Sequence, residues 1–326
     1  MGETIFVADI GGTNARFAIA EDNGEVISLR DAKTFRALDF ETVCDAASAY
    51  LEAIGKRSKR VCFAAAGPIE GGNVAFTNSA WKLRTDDIKG SLELDNFKLV
   101  NDFLALAAGI SCMTDDSLIS VKSGHIDPTA LKLVIGPGTG FGQALLVPIL
   151  SRGEMIATEG EHVTFAPCTD KELEVMRFVA REHQRISVER LLSSHGLVNI
   201  YSALCAVADT PQVSHQANEV TKAALEQNDH IATEAVDMFC ALLGSVAGDA
   251  VLSTGARGGV TLGGGILPKI KDIFLKSKFC ERSTDKGRMS SYLDAVPVRL
   301  LIAEGAALYG AAATAKEDRH VHRNYC

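Results

Sequence analysis

The sequence predicts an α/β protein built of two related units. Three observations carry this. The chain has 326 residues, and at about 150 residues per domain that is two domains. Short apolar strands alternate with helix-period stretches. A strand, a glycine-rich turn carrying Thr, and a second strand occur twice, once in each half.

Taken in order, Thr4–Ile10 reads as a buried strand, Gly11-Gly12-Thr13-Asn14 as a turn, and Arg16–Ala20 as the returning strand of a hairpin. Phe40–Ile54 has helical periodicity. Arg60–Ala66 is a strand ending at Gly67-Pro68. Phe97–Val100 is a short strand, and a helix over Phe103–Ile110 follows Asn101-Asp102. The opening pattern then returns: strand Leu131–Ile135, turn Gly136-Pro137-Gly138-Thr139-Gly140, strand Gln143–Leu150. Beyond it, Val188–Ala208, Gln216–Glu226 and Ile231–Leu252 carry apolar residues at helical spacing. A strand over Gly259–Leu262 meets Gly263-Gly264-Gly265, and an amphipathic helix is expected from there to Lys278. Arg299–Ile302 is a last strand, and Ala306–Ala315 a small-residue helix that packs closely on its neighbours. The reading is of two α/β units, each offering one phosphate-binding hairpin to a shared cleft.

Composition narrows the function. Hydrophobic residues make up 47% of the chain, enough for real cores, and the formal charge is −8. No run of five like charges occurs, so nucleic acid is a poor partner. The eight cysteines contain no CxxC pair and read as free thiols of a reducing cytosol. No signal-peptide pattern opens the chain. No apolar stretch is expected to approach the 18 residues of a membrane span. The expectation is a soluble, cytoplasmic protein.

Three glycine-rich turns suit a triphosphate, because glycine lets backbone N–H groups approach phosphate oxygens and adopt the positive φ of an anion nest. None is a Walker A loop or a dinucleotide fingerprint. Thr13 and Thr139 add hydroxyls. Asp9 ends the first strand beside a turn for anions, which suggests Mg²⁺ held through water; an Asx turn opening the hairpin is the other reading. Asp102, between strand and helix, is either an N-cap or a general base for a sugar hydroxyl, with Asn101 beside it. Glu159-Gly160-Glu161-His162 places acceptors and an imidazole on one short loop, as sugar binding requires. Zinc would need a second His or Cys at ligand spacing. Glu189, at a helix start, is either a sugar ligand or a favourable helix-dipole charge.

Together, Asp9-Ile10-Gly11-Gly12-Thr13-Asn14-Ala15-Arg16, Asn101-Asp102-Phe103, Glu159-Gly160-Glu161-His162 and Gly263-Gly264-Gly265-Ile266 resemble the bacterial-type glucokinases of the actin-like sugar-kinase superfamily. Thr77-Asn78-Ser79-Ala80-Trp81 and Gly196-Leu197-Val198-Asn199-Ile200-Tyr201 extend the likeness over essentially the whole chain. The resemblance implies a two-domain actin-like ATPase (ribonuclease H-like) fold. Its cleft would lie between a small α/β domain, 1–110 plus 303–326, and a large one, 111–302, closing on glucose, usually in a homodimer. It implies ATP and Mg²⁺, with transfer of the γ-phosphoryl group to the 6-hydroxyl of glucose. Asp102 would be the base, and Asn101, Glu159, His162 and Glu189 would bind sugar. Asp9, Gly11, Gly12, Thr13 and Asn14 would form the first phosphate loop and Gly138, Thr139 and Gly140 the second. Gly263, Gly264 and Gly265 would lie at the adenosine pocket.

There are departures. Glu161 stands where the family leads us to expect glycine, Pro137 where it has a small residue, and Ser194-His195 where it often has Gly-Pro. The zinc-binding cysteines of the related repressor-and-kinase branch are missing. Two alternatives remain: a kinase for another hexose (mannose, fructose, allose), and a sugar sensor without catalysis.

Overall fold

The computed structural model describes residues 3–24, 26–76, 81–148 and 154–316. Thr77–Ala80 of the family-like stretch and the chain's last residues lie outside them. The chain divides into two units. One runs up to Thr114 and resumes at Ala303; the other is Asp115–Ile302.

In the first unit the strands are β1 (Glu3–Ile10), β2 (Asn14–Asp22), β3 (Ile27–Arg36), β4 (Arg60–Ala65), β5 (Asn73–Ala75), β6 (Lys82–Arg84) and β7 (Asn96–Asn101). The main sheet has the order β3-β2-β1-β4-β7, and β5 and β6 pair by themselves. β1 to β3 form an antiparallel meander, while β4 and β7 run parallel to β1. β1 is apolar and buried from Ile5 to Ala8 because it is central and covered on both faces. Alternation divides its side chains: Phe6, Ala8 and Ile10 join one core, and Ile5 and Val7 the other. The first core is aromatic. Phe6 stacks on Tyr50 at 5.4 Å and meets Phe63 edge-on at 5.3 Å. Tyr50 comes from the helix Val43–Ile54, which starts three residues later than the periodicity suggests because Thr42 and Asp45 make a capping box before it.

The second core is built of small residues, and it fixes the helix that carries Asp102. The helices Asp102–Ile110 and Ala306–Lys316 meet backbone to backbone: a Cβ at Gly109 would lie 1.8 Å from the Ala306 carbonyl oxygen, and one at Gly310 would lie 1.6 Å from that of Ala105. The close packing expected of Ala306–Ala315 is therefore present.

The second unit repeats the topology. Its strands are β8 (Leu118–Lys122), β9 (Lys132–Pro137), β10 (Phe141–Val147), β11 (Glu154–Thr158), β12 (Val260–Leu262) and β13 (Val298–Leu301), in the order β11-β10-β9-β12-β13-β8. The hairpin β9–β10 matches β1–β2, β11 takes the place of β3, and β12 and β13, parallel to β9, take those of β4 and β7. β8 is an additional antiparallel edge. The core centres on the helix His230–Thr254. Contrary to expectation, this helix is long and apolar enough to cross a membrane by length and composition. Its most apolar window is 72% buried within the protein, as a core helix requires.

Two expected helices are corrected. The Val188–Ala208 stretch is a single turn, Val188–Arg190, followed by a helix over Ser194–Val207, because the Ser193 hydroxyl caps the new start by accepting from Gly196 N–H at 3.0 Å. The helix expected from Gly265 to Lys278 is one short piece, Lys271–Phe274, after tight turns such as Lys269 N–H to Ile266 carbonyl, 3.1 Å. Pro268 has no N–H and disfavours helical backbone at Leu267.

Candidate functional site

In the first unit the candidate residues lie at the carboxyl ends of β1 and β7. The β1–β2 turn is closed by Gly11 N–H donating to the Asn14 carbonyl at 2.9 Å, and the Thr13 carbonyl accepts from Ala37 N–H at 2.8 Å. Asp9 and Arg16 face each other across the hairpin, with Nη1 3.8 Å from Oδ2. Burial pushes the Asp9 carboxyl up, and the Arg16 guanidinium draws it partly back. A single partly exposed carboxylate suits Mg²⁺, which keeps most of its water shell.

Asn101 closes β7 and caps the next helix. Its Oδ1 accepts from Phe103 N–H at 2.9 Å and Leu104 N–H at 3.1 Å, and its Nδ2 donates to the Gly67 carbonyl at 3.4 Å. The N-cap position considered for Asp102 thus belongs to Asn101. Asp102 is the first helical residue, its Oδ1 accepting from Phe103 N–H at 2.9 Å. A helix N-terminus favours the ionised carboxylate, the form that accepts a proton.

In the second unit the loop Gly138–Gly140 is held from two sides. The Gly138 carbonyl accepts from Ser194 N–H at 3.0 Å and Ser194 Oγ at 2.9 Å. Glu189 Oε2 accepts from Phe141 N–H at 2.9 Å, and a Cβ at Gly140 would lie 2.5 Å from that oxygen. Glu189 therefore braces the loop, in addition to any contact with sugar. The Gly263–Gly265 turn interlocks with β9: a Cβ at Gly136 would lie 2.1 Å from the Gly263 carbonyl oxygen, and one at Gly264 would lie 2.1 Å from that of Pro137. Among the glycines of the three turns only Gly264 has positive φ, at 84°. The nest geometry expected of the others is absent; room for the Gly263 backbone explains Gly136, and room for the Glu189 carboxylate explains Gly140. A cavity of about 330 Å³ lies beside these turns, lined by Ser194, His195, Ile266 and Lys269 among others.

Glu159, Glu161 and His162 share one short turn, with their ligand-type atoms within 4.8 Å of one another. His162 N–H donates to the Glu159 carbonyl at 3.0 Å, and the Arg185 guanidinium donates to the His162 carbonyl. Val188 N–H bonds the Val163 carbonyl at 3.0 Å, which fastens this turn to the one bearing Glu189. The loop brings no further His or Cys for zinc.

The structure thus gathers Glu159, His162 and Glu189 with Gly138–Gly140 in one unit, and Asp9, Gly11–Asn14, Asn101 and Asp102 in the other. Ser194, Gln143 and Arg185 are supporting residues that the motifs do not reveal. Their partners are distant in sequence, and no local pattern marks them. Ser194 appeared only as a departure.

The glucokinase family model matches residues 6–318. A glucokinase of Saccharophagus degradans is 39% identical over 309 residues, which cover 94% of this chain and 96% of that one. The crystal structure of a glucokinase from an Antarctic psychrotroph superposes with a TM-score of 0.82 at 34% identity, over 97% of this chain and 99% of that one. A glucokinase from Balamuthia mandrillaris, solved in complex with glucose, shares the fold, with a TM-score of 0.83 at 19% identity over 97% of this chain and 94% of its own. With a family model spanning nearly the whole length and relatives that align from end to end, the chain belongs to the glucokinase family.

Proposed function

We propose that this protein transfers the γ-phosphoryl group of ATP to the 6-hydroxyl of glucose, giving glucose 6-phosphate and ADP. The observation that carries the mechanism is the placement of Asn101 and Asp102. Asn101 takes the capping bonds, and Asp102 stands on the first turn of a rigidly packed helix whose field favours its anion. Asp102 accepts the proton of the 6-hydroxyl as the oxygen attacks the γ-phosphorus. Asn101, Glu159, His162 and Glu189 orient the sugar. Gly11–Asn14 and Gly138–Gly140 hold the phosphates, and adenosine lies against Gly263–Gly265 and the adjoining cavity. Asp9 would hold Mg²⁺ through water, and the ion would supply charge neutralisation at the phosphates.

Both units contribute to this list, so the reading requires them to act on one sugar and one nucleotide, as across the cleft of an actin-like ATPase. Glucose binds first and draws them together, excluding water that would hydrolyse ATP. A cytoplasmic homodimer completes the proposal.

The test is ADP release from ATP–Mg²⁺ by the purified protein, with and without glucose, beside mannose, fructose and N-acetylglucosamine. Glucose-dependent release that yields glucose 6-phosphate supports the reading. A higher kcat/KM for another hexose reassigns the substrate. Saturable sugar binding without turnover makes the protein a sensor.

A further inference from the structure

Glu161 is the position of the Glu159–His162 loop at which this chain departs from the resemblance. It sits between Glu159 and His162, on the turn fastened to the segment that carries Glu189. Its Oε2 is buried and has no hydrogen-bond partner among the described residues. A buried acceptor without a donor is destabilising, and a loop that binds hydroxyl groups is a place where a ligand removes that cost. The ligand-type oxygens of Glu159 and Glu161 lie within 4.8 Å of each other, and a side-chain hydrogen bond with Glu159 helps to raise the Glu161 carboxyl. Two carboxyl groups hydrogen-bond each other only when one carries a proton.

We infer that Glu161 is a further sugar-binding residue of the loop: it shares a proton with Glu159 and turns its enclosed oxygen to a sugar hydroxyl, so that sugar binds to one protonation state of the pair. The inference rests on the reading of this loop as sugar-binding.

The surroundings favour the shared proton. Burial acts first, and the carboxylates of Glu159 and Glu189 act in the same direction, so the Glu161 carboxyl is pushed up to about 8. The titratable and charged groups of the packed elements are Glu159 and His162 on its own turn, Glu189 and Arg190 on the facing turn, and Arg185, whose guanidinium donates to the His162 carbonyl. β10, beneath the loop, contributes the neutral Gln143. At neutral pH Glu161 therefore keeps its proton. Above pH 8 Glu161 ionises, a third negative charge joins Glu159 and Glu189, and the shared hydrogen bond is lost. Sugar affinity should fall there.

The experiment is calorimetric titration of glucose into the full chain without ATP, from pH 6 to 9.5, for the wild type, Glu161→Gln and Glu161→Gly. For binding to a protonated form that titrates near 8, the wild-type Kd rises about twofold at pH 8 and about tenfold at pH 9 relative to pH 7. Glutamine keeps the shape and a donor but does not titrate, so its Kd stays level over the same range. Glycine levels the profile as well, and serves if glutamine disturbs the turn. A merely structural role for Glu161 would not produce this pH dependence. A level wild-type profile, or variants that rise as the wild type does, overturns the inference while leaving glucose-dependent ADP release at pH 7 intact. Absence of that ADP release marks failure of the kinase reading instead. No glucose binding at any pH overturns both.

Discussion

The interlock between Gly264 and Pro137 predicts a large effect from one methyl group. Gly264 has φ of 84°, and a Cβ there would lie 2.1 Å from the Pro137 carbonyl oxygen and 2.7 Å from its carbonyl carbon. Gly264→Ala meets two separate costs. Left-handed backbone is unfavourable for alanine by about 1–2 kcal/mol. Overpacking against backbone, which has no rotamer to yield, adds about 1–3 kcal/mol. The sum is roughly 2–5 kcal/mol. If the turn moves to relieve it, the loops proposed to hold ATP separate. At 1.4 kcal/mol per tenfold, the KM for ATP then rises between about 30-fold and a few thousand-fold. If the strands hold the turn in place, the strain appears in the fold, as a fall in melting temperature of about 4–20 °C for a unit of this size. The assays are the ATP KM at saturating glucose and thermal melting followed by circular dichroism. Gly265→Ala is the comparison, because a Cβ there meets nothing within 4 Å and φ is not positive; it should melt close to the wild type. An ATP KM and a melting temperature both unchanged in Gly264→Ala would refute the reasoning.

Asp102→Asn keeps the shape of the side chain and removes its basicity, so kcat should fall by about 10²–10⁴-fold while the Kd for glucose changes little; near-full kcat would remove Asp102 from the role of base. Asn101→Ala deletes the acceptor of two helix N–H groups, which should cost about 1 kcal/mol of stability, read by urea denaturation, and should weaken glucose binding as well. Glu172 and Arg282 form a buried ion pair, with hydrogen bonds of 2.5 and 3.3 Å between them, a Cys168 N–H at 2.7 Å on the carboxylate and Ser245 Oγ 3.1 Å from the guanidinium. Burial pushes the Glu172 carboxyl up, but the Arg282 and Cys168 bonds outweigh it and hold it below its ordinary 4.5. A lowered folded value means that this pair's stability is complete above the unfolded value and is lost as pH falls through the folded one. Glu172→Gln should cost about 3–5 kcal/mol at neutral pH and flatten the acid side of the melting-temperature profile; a variant profile parallel to the wild type would contradict this.

Much of the fold was legible because the cues were local. β1 was visible from its apolar run Ile5–Ala8, and the helix His230–Thr254 from sustained helical spacing. β3 was missed for an equally physical reason. Ile27–Arg36 is an edge strand, mostly exposed and polar, and pairing with β2 holds it in the sheet where no apolar run of its own would. The short strands β5, β6 and β8 are similar: each gains its partner through tertiary structure. The lost helix after Gly265 shows the converse, an apolar period that reads as helical while one proline inside it decides otherwise.

The site divides along the same line. Asp9, Asn101, Asp102 and Glu159–His162 were legible as short motifs, because hairpin tips and strand-to-helix junctions place neighbouring residues in a constant relation. Which group holds which was not legible. Glu189 stands at a turn that reads as the start of a helix, yet its carboxylate reaches Phe141 N–H, 48 residues earlier, and Ser194 reaches Gly138, 56 residues earlier. The glycines make the distinction sharpest. In the sequence Gly136, Gly140 and Gly264 are equivalent members of glycine-rich turns, and all invite the same explanation by backbone freedom. In the structure only Gly264 uses that freedom, whereas Gly136 and Gly140 are required by what lies against them, the Gly263 carbonyl and the Glu189 carboxylate. A glycine can satisfy a need to turn or a need for space. Only the second depends on a residue elsewhere in the chain, so the positions where distant segments meet are where reading along the sequence has least to work with.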